Sequence, residues 1–107
     1  MIEEDAMERC ADVFKAMGDR TRLSILKQLF SGEMCVTDLA KSLGMDAPRV
    51  SFHLTRLKYA GLVVDERRGQ RVAYSLNPEV CRTSGKGDTE ISLGDCTVKF
   101  KSDGPVR

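Results

Sequence analysis

The sequence predicts a mainly α fold that closes with a small β element. Three observations carry this expectation. Apolar residues recur at helical spacing in four successive segments between residues 5 and 60. Residues 62–66 and 71–76 then change to two β-branched runs around a glycine-containing turn. Beyond residue 88 a further pair of short runs reads as a β tail. With 107 residues the chain has room for one such domain and a tail.

The first helix is expected over residues 5–17. Ala6, Cys10, Val13, Phe14 and Met17 share one face, and Gly18 ends the run. Asp19 is placed to cap a second helix over 20–31. There Leu23, Ile25, Leu26, Leu29 and Phe30 form a broad apolar stripe, and Gly32 stops it. Arg22 meets that stripe from the first turn, as a structural ion pair or a snorkelling stem. A third helix follows over about 37–43, with Thr37 as its cap and Leu39, Ala40 and Leu43 inward. Gly44 permits a tight turn. Asp46 caps a fourth helix, which carries Pro48 in its first turn and runs to about Ala60, with Gly61 just past the end.

Two short helices joined through a glycine make a helix-turn-helix candidate. At 100° per residue, Val50, Leu54 and Leu57 of the fourth helix cluster inward, with His53 and Ala60 at the edge. Pro48, Phe52, Thr55, Arg56 and Tyr59 fall on the opposite side, flanked by Arg49 and Ser51. Such a face can read base edges and phosphates, so Arg49, Ser51, Phe52, Thr55 and Arg56 are the candidate DNA contacts. Between the two strands, Arg67-Arg68-Gly69-Gln70 is a glycine-containing hairpin connection, and Arg67, Arg68 and Arg71 crowd its tip. A phosphate backbone or narrow minor groove would supply their counter-charge; a solubilising turn is the plainer reading.

Asn77-Pro78 starts a turn or short helix reaching about residue 82, and residues 81–88 read as a flexible linker. In the tail, a Gly94-Asp95 turn pairs Leu93 with Cys96, Ile91 with Val98 and Glu90 with Lys99. An extended strand with a bulge at Gly94 is the alternative. A lone hairpin needs a surface, and the first helix of a partner chain is the expected one. Residues 102–107 are expected to fray. The expected divisions are thus 1–80, the linker 81–88 and the β tail 89–107.

Formal net charge is +1, which by itself indicates no partner. The distribution says more. Residues 1–19 carry six acids and two bases, net −4, whereas residues 46–71 carry three acids and six bases, net +3. A locally basic second half can find a polyanion although the chain is near neutral. No apolar run is long enough for a transmembrane span, and the acidic start lacks the basic n-region of a signal peptide. A cytoplasmic protein is therefore expected. One histidine, His53, excludes a histidine-rich metal site, and no catalytic constellation accompanies it, so an enzyme is not expected.

A helix-turn-helix followed by a two-stranded basic hairpin describes a winged helix. Residues 16–26 (AMGDRTRLSIL), 32–40 (GEMCVTDLA), 50–57 (VSFHLTRL), 60–64 (AGLVV) and 68–76 (RGQRVAYSL) resemble, in order, the ArsR/SmtB family of bacterial winged-helix repressors. The resemblance covers about residues 6–80. It implies a homodimer, joined through the first helix and the C-terminal region, that binds an operator in double-stranded DNA. It also implies release by a metal or metalloid. Residues 46–49 (DAPR) stand where many relatives have a polar Ser-Gln-Ser-like run, so a different operator sequence is implied. The family's long final helix looks replaced by the β tail, and the zinc ligands of that helix have no counterparts here.

Four cysteines, Cys10, Cys35, Cys81 and Cys96, form no CxxC. Cys35 lies just before a helix N-terminus, which favours the thiolate and hence soft metals. Cys35-Val36-Thr37 also resembles the Cys-Val-Cys of arsenic-sensing relatives, which implies As(III) or Sb(III) bound with Cys81 or Cys96, of the same or the partner chain, as recruits. An inert thiol and a redox sensor are the other readings of Cys35. Cys10 and His53 are expected as core residues. The expected function is a DNA-binding repressor. The rivals are a regulator without metal sensing and a winged-helix protein-interaction module.

Overall fold

The computed structural model describes residues 2–101, with side chains from Ala6 onward. Four helices come first: α1 (Ile2–Met17), α2 (Arg20–Leu29), α3 (Val36–Leu43) and α4 (Ala47–Tyr59), with a short strand β1 (Met34–Cys35) before α3. The wing is β2 (Val63–Arg68) and β3 (Arg71–Leu76), and the tail holds β4 (Cys81–Thr83), β5 (Thr89–Ser92) and β6 (Thr97–Phe100).

Local signals fix most of the helix ends. The Asp19 carboxylate accepts from the Arg22 backbone N–H at 3.0 Å and caps α2 as expected. Gly44 ends α3 in the left-handed conformation (φ 67°), and the Met45 N–H reaches back to the Ala40 carbonyl at 3.0 Å. Gly61 (φ 84°) does the same after α4, with Leu62 N–H on the Leu57 carbonyl. Thr37 is not the cap of α3: the helix starts one residue earlier, with Cys35 at the N-cap and no side-chain capping bond. α2 is also shorter than expected, because Phe30 closes it before Gly32.

Two antiparallel sheets flank the helices. The first has the order β1-β3-β2, pairing Cys35 with Ala73 and Asp65 with Tyr74. β3 has the expected bounds, whereas β2 runs two residues further than the sequence suggests, so Arg67 and Arg68 lie in β2 and only Gly69 and Gln70 make the turn. Gly69 takes φ 66°, which a two-residue hairpin loop requires.

The second sheet has the order β4-β5-β6. Its hairpin has the expected register, with Glu90 opposite Lys99, Ile91 opposite Val98, and the Leu93 N–H on the Cys96 carbonyl. Residues 78–82 do not form a helix. Asn77 makes a turn instead, accepting from Glu79 N–H, and the chain enters β4 at Cys81. Residues 81–88 therefore include a strand and a turn closed by Ser84 N–H on the Asp88 carbonyl, where a linker was expected. Residues 102–107, expected to fray, lie outside the described residues.

One apolar core serves the helices and both sheets. Ile25, Leu26, Leu39, Val50, Leu54, Leu57 and Leu62 are fully buried at its centre. Each such side chain contributes roughly 1.5–3 kcal/mol. Ile91, Leu93 and Cys81 join the same cluster as Cys10 and Val13 of α1, and Phe100 packs on Phe30 with ring centroids 5.4 Å apart. The tail was expected on a partner's first helix; it seats on the first helix of its own chain. That placement leaves Met7 and Phe14 of α1 exposed, seven residues apart on one face.

Candidate nucleic-acid interface

α3 and α4 share the αL turn at Gly44, so α4 is held against α2 and α3 by one side only. Val50, Leu54 and Leu57 are fully buried, while Pro48, Arg49, Phe52, Thr55, Arg56 and Tyr59 are exposed. The division at 100° per residue is the one expected, with Ser51, His53 and Ala60 half-buried between the faces. On the open face, the Arg56 guanidinium lies 4.8 Å from the Phe52 ring centroid, a cation–π contact that holds its charge outward. Arg49 has no hydrogen bond or ion pair among the described residues. The Thr55 hydroxyl donates to the Ser51 carbonyl at 3.0 Å, which leaves its oxygen free to accept.

Behind this face, Arg22 ties three helices together. Its Nε donates to the Ala16 carbonyl at the end of α1, and its guanidinium lies 3.2 Å from the His53 Nδ1 on α4. That bond makes Nδ1 the acceptor and places the ring proton on Nε2. Burial pushes the His53 imidazole below its usual value; Asp19 opposes this, and Arg22, Arg49 and Arg56 reinforce it. His53 and Arg22 are thus structural, and they set the orientation of α4.

The wing departs from expectation. Arg68 is not without counter-charge: its Nη2 and Nε meet the two oxygens of Glu33 at 2.9 and 3.0 Å, and Glu66 lies 3.4 Å away. The Glu33 carboxyl is held below the usual range by that bond. Arg71 faces Thr37 at 3.1 Å and Asp38 at 3.6 Å. These acids separate two like charges, since Arg68 and Arg71 sit directly opposite each other. Arg67 alone of the three has no hydrogen bond or ion pair among the described residues. All of these groups are solvent-exposed, so the pairs are exchangeable.

The candidate thiols are not brought together. Cys35 is half-buried at the start of α3. Cys81 is buried against the Leu62 carbonyl, and burial pushes it up to about 11, so it stays a thiol. Cys96 lies against Cys10 instead, with sulfurs 3.8 Å apart. Among the described residues no three His, Cys, Asp or Glu side chains gather to hold a metal ion. Cys35, Cys81 and Cys96 of one chain therefore do not fit a shared As(III) or Sb(III) site. No described helix is long and apolar enough to cross a membrane.

A helix pair hinged at a left-handed glycine, with an arginine-bearing outer helix and a basic hairpin at its side, defines a winged helix-turn-helix. The model of the family "Bacterial regulatory protein, arsR family" matches residues 19–64. The transcriptional repressor SdpR of Bacillus subtilis is 39% identical over 88 residues, which is 75% of this chain and 98% of SdpR. The arsenical resistance operon repressor of Escherichia coli is 41% identical over 69 residues, 64% of this chain but 59% of that repressor. Among solved structures, the homodimeric winged helix-turn-helix domain of Mb0332 from Mycobacterium bovis, a possible ArsR-family regulator, superposes with a TM-score of 0.69 at 35% identity. That match covers 72% of this chain and 71% of the other. The chain belongs to the ArsR family: it is a DNA-binding transcriptional regulator of the winged-helix type and not an enzyme.

Proposed function

We propose that the chain is a homodimeric, cytoplasmic repressor of a near-palindromic operator. α4 lies in the major groove, with Arg49, Ser51, Phe52, Thr55 and Arg56 toward the bases and their phosphates. The hairpin reaches the flanking phosphates through Arg67, and Arg68 and Arg71 follow by exchanging their acids for phosphate. The observation that carries this reading is the open face of α4, where an unpaired Arg49 and an outward-held Arg56 stand opposite a fully buried side. The exposed Met7 and Phe14 of α1 support pairing with a second copy, as does the homodimeric Mb0332 domain. The name of SdpR supports repression over activation.

Selection of bound duplexes from a random pool tests the proposal. The expected result is a two-fold symmetric site bound by a dimer. Arg49→Ala and Arg56→Ala should each relax the preference at a defined base pair, by about 1–3 kcal/mol for a bidentate base contact. An equal loss on all sequences makes either residue a backbone contact. Absence of salt-sensitive binding to any duplex overturns the reading in favour of a protein-interaction module.

A further inference from the structure

The structure joins two thiols that lie 86 residues apart in sequence. Cys10 projects from the core face of α1 and is buried. Cys96 follows the Gly94-Asp95 turn of the tail and is half-exposed. Their sulfurs are 3.8 Å apart, and the Cys10 thiol also points to the Leu93 carbonyl at 4.0 Å. The two other thiols lie elsewhere: Cys35 is on the first sheet beside Ala73, and Cys81 is beneath Leu62. No third metal-ligating side chain joins the pair among the described residues.

We propose that Cys10 and Cys96 are a redox modification site, closing to a reversible intrachain disulfide when the chain meets a peroxide. The order of events follows from access. Water and oxidant reach Cys96 through its exposed side, whereas Cys10 is enclosed. Burial, then the neighbouring Cys96, push the Cys10 thiol up, which leaves Cys96 as the attacking sulfur. The Cys96 thiolate attacks one peroxide oxygen, the O–O bond breaks, and the leaving hydroxide takes up the proton that Cys96 released, giving a Cys96 sulfenic acid and water. The Cys10 sulfur then attacks the Cys96 sulfur. The S–O bond breaks, hydroxide leaves with the Cys10 proton as water, and the S–S bond forms. Two thiols have lost two hydrogens, and one peroxide has become two waters. A small thiol reductant reverses the step by exchange at the exposed Cys96 sulfur.

The product ties α1 to the tail sheet across a contact already present in the reduced fold. This inference does not depend on DNA binding and is tested without it. The reduced full-length protein is treated with hydrogen peroxide under native conditions, quenched with an alkylating agent, and analysed by intact mass and non-reducing peptide mapping. The expected product is a monomeric chain lighter by two hydrogens, with the Cys10 and Cys96 peptides joined in large excess over the other five pairings of four thiols. Dithiothreitol restores the original mass. Cys96→Ser should abolish the product, while Cys35→Ser and Cys81→Ser leave it intact. In denaturant the pairing preference should vanish, which shows that the fold directs it. Three results overturn the proposal: an unlinked Cys96 oxidised to sulfinic acid with Cys10 still alkylated, a disulfide that uses Cys35, or chains linked only to each other.

Discussion

Glu33→Gln offers a direct probe of how the wing meets DNA. In the free protein, Glu33 grips Arg68 through both oxygens, at 2.9 and 3.0 Å. Both side chains are about half exposed, so the pair is a surface salt bridge stabilising the protein by about 0–1 kcal/mol. If Arg68 is to contact a phosphate, that bridge must open. Removing the carboxylate removes this cost, so affinity should rise by up to roughly fivefold, the equivalent of about 1 kcal/mol. Arg68 meets the same phosphate in both proteins, so the slope of log K against log salt should stay the same. Each phosphate contact contributes about 0.9 to that slope, which between about 50 and 200 mM salt changes affinity roughly 3.5-fold. Arg68→Ala in the Glu33→Gln background should cancel the gain and make the slope shallower by about 0.9. Arg67→Ala in the parent should make the slope shallower by about 0.9, because Arg67 is unpaired at the start. Fluorescence anisotropy of a labelled duplex over a salt series reads all four proteins. If Arg67→Ala and the added Arg68→Ala both leave the slope unchanged, the wing does not touch phosphate.

Leu54 is fully buried on the core side of α4, so Leu54→Ala should cost about 2–5 kcal/mol, read from the urea midpoint. Ile91→Ala should cost a similar amount, about 2–4 kcal/mol, and lower the Tm of the whole domain; a loss confined to the tail's own signals would separate the tail from the core. His53 should make stability fall in mild acid. Its folded value is depressed, so the unfolded chain takes up the proton first; the contribution is complete above about pH 6.5 and is lost as pH falls through the folded value. Urea midpoints between about pH 7.5 and 5.5 should show this decline, and His53→Gln should flatten it. Gly44→Ala should cost about 1 kcal/mol because φ is 67° there, and its Tm should drop accordingly.

What could be read in advance was local or periodic. The angular placement of α4 separated Leu54 from Arg56 because a helix repeats its geometry at every residue. The Gly94-Asp95 turn gave the Glu90–Lys99 and Ile91–Val98 pairs because a tight turn fixes register. What could not be read depends on residues distant in sequence. β1 has two residues, too few for any period, and exists because β3 offers it an edge. The counter-charges of Arg68 and Arg71 come from Glu33 and Asp38, more than thirty positions earlier. Thr37 has the composition of a cap, yet the pairing of Cys35 with Ala73 moves the helix start, and its hydroxyl faces Arg71 instead. The neighbour of Cys10 was hidden for the same reason. Neither a helical face nor a hairpin register specifies which of them will touch the other.

The seating of Leu93 and Cys96 against Cys10 also bears on how the domain comes into being. The Cys10 stripe of α1 is synthesised early, but its covering arrives only after the chain has grown by some eighty residues. At about 5–20 residues per second, that stripe waits several seconds or more with its apolar side open. During that interval the nascent helix is a surface on which chaperones or other nascent copies can settle.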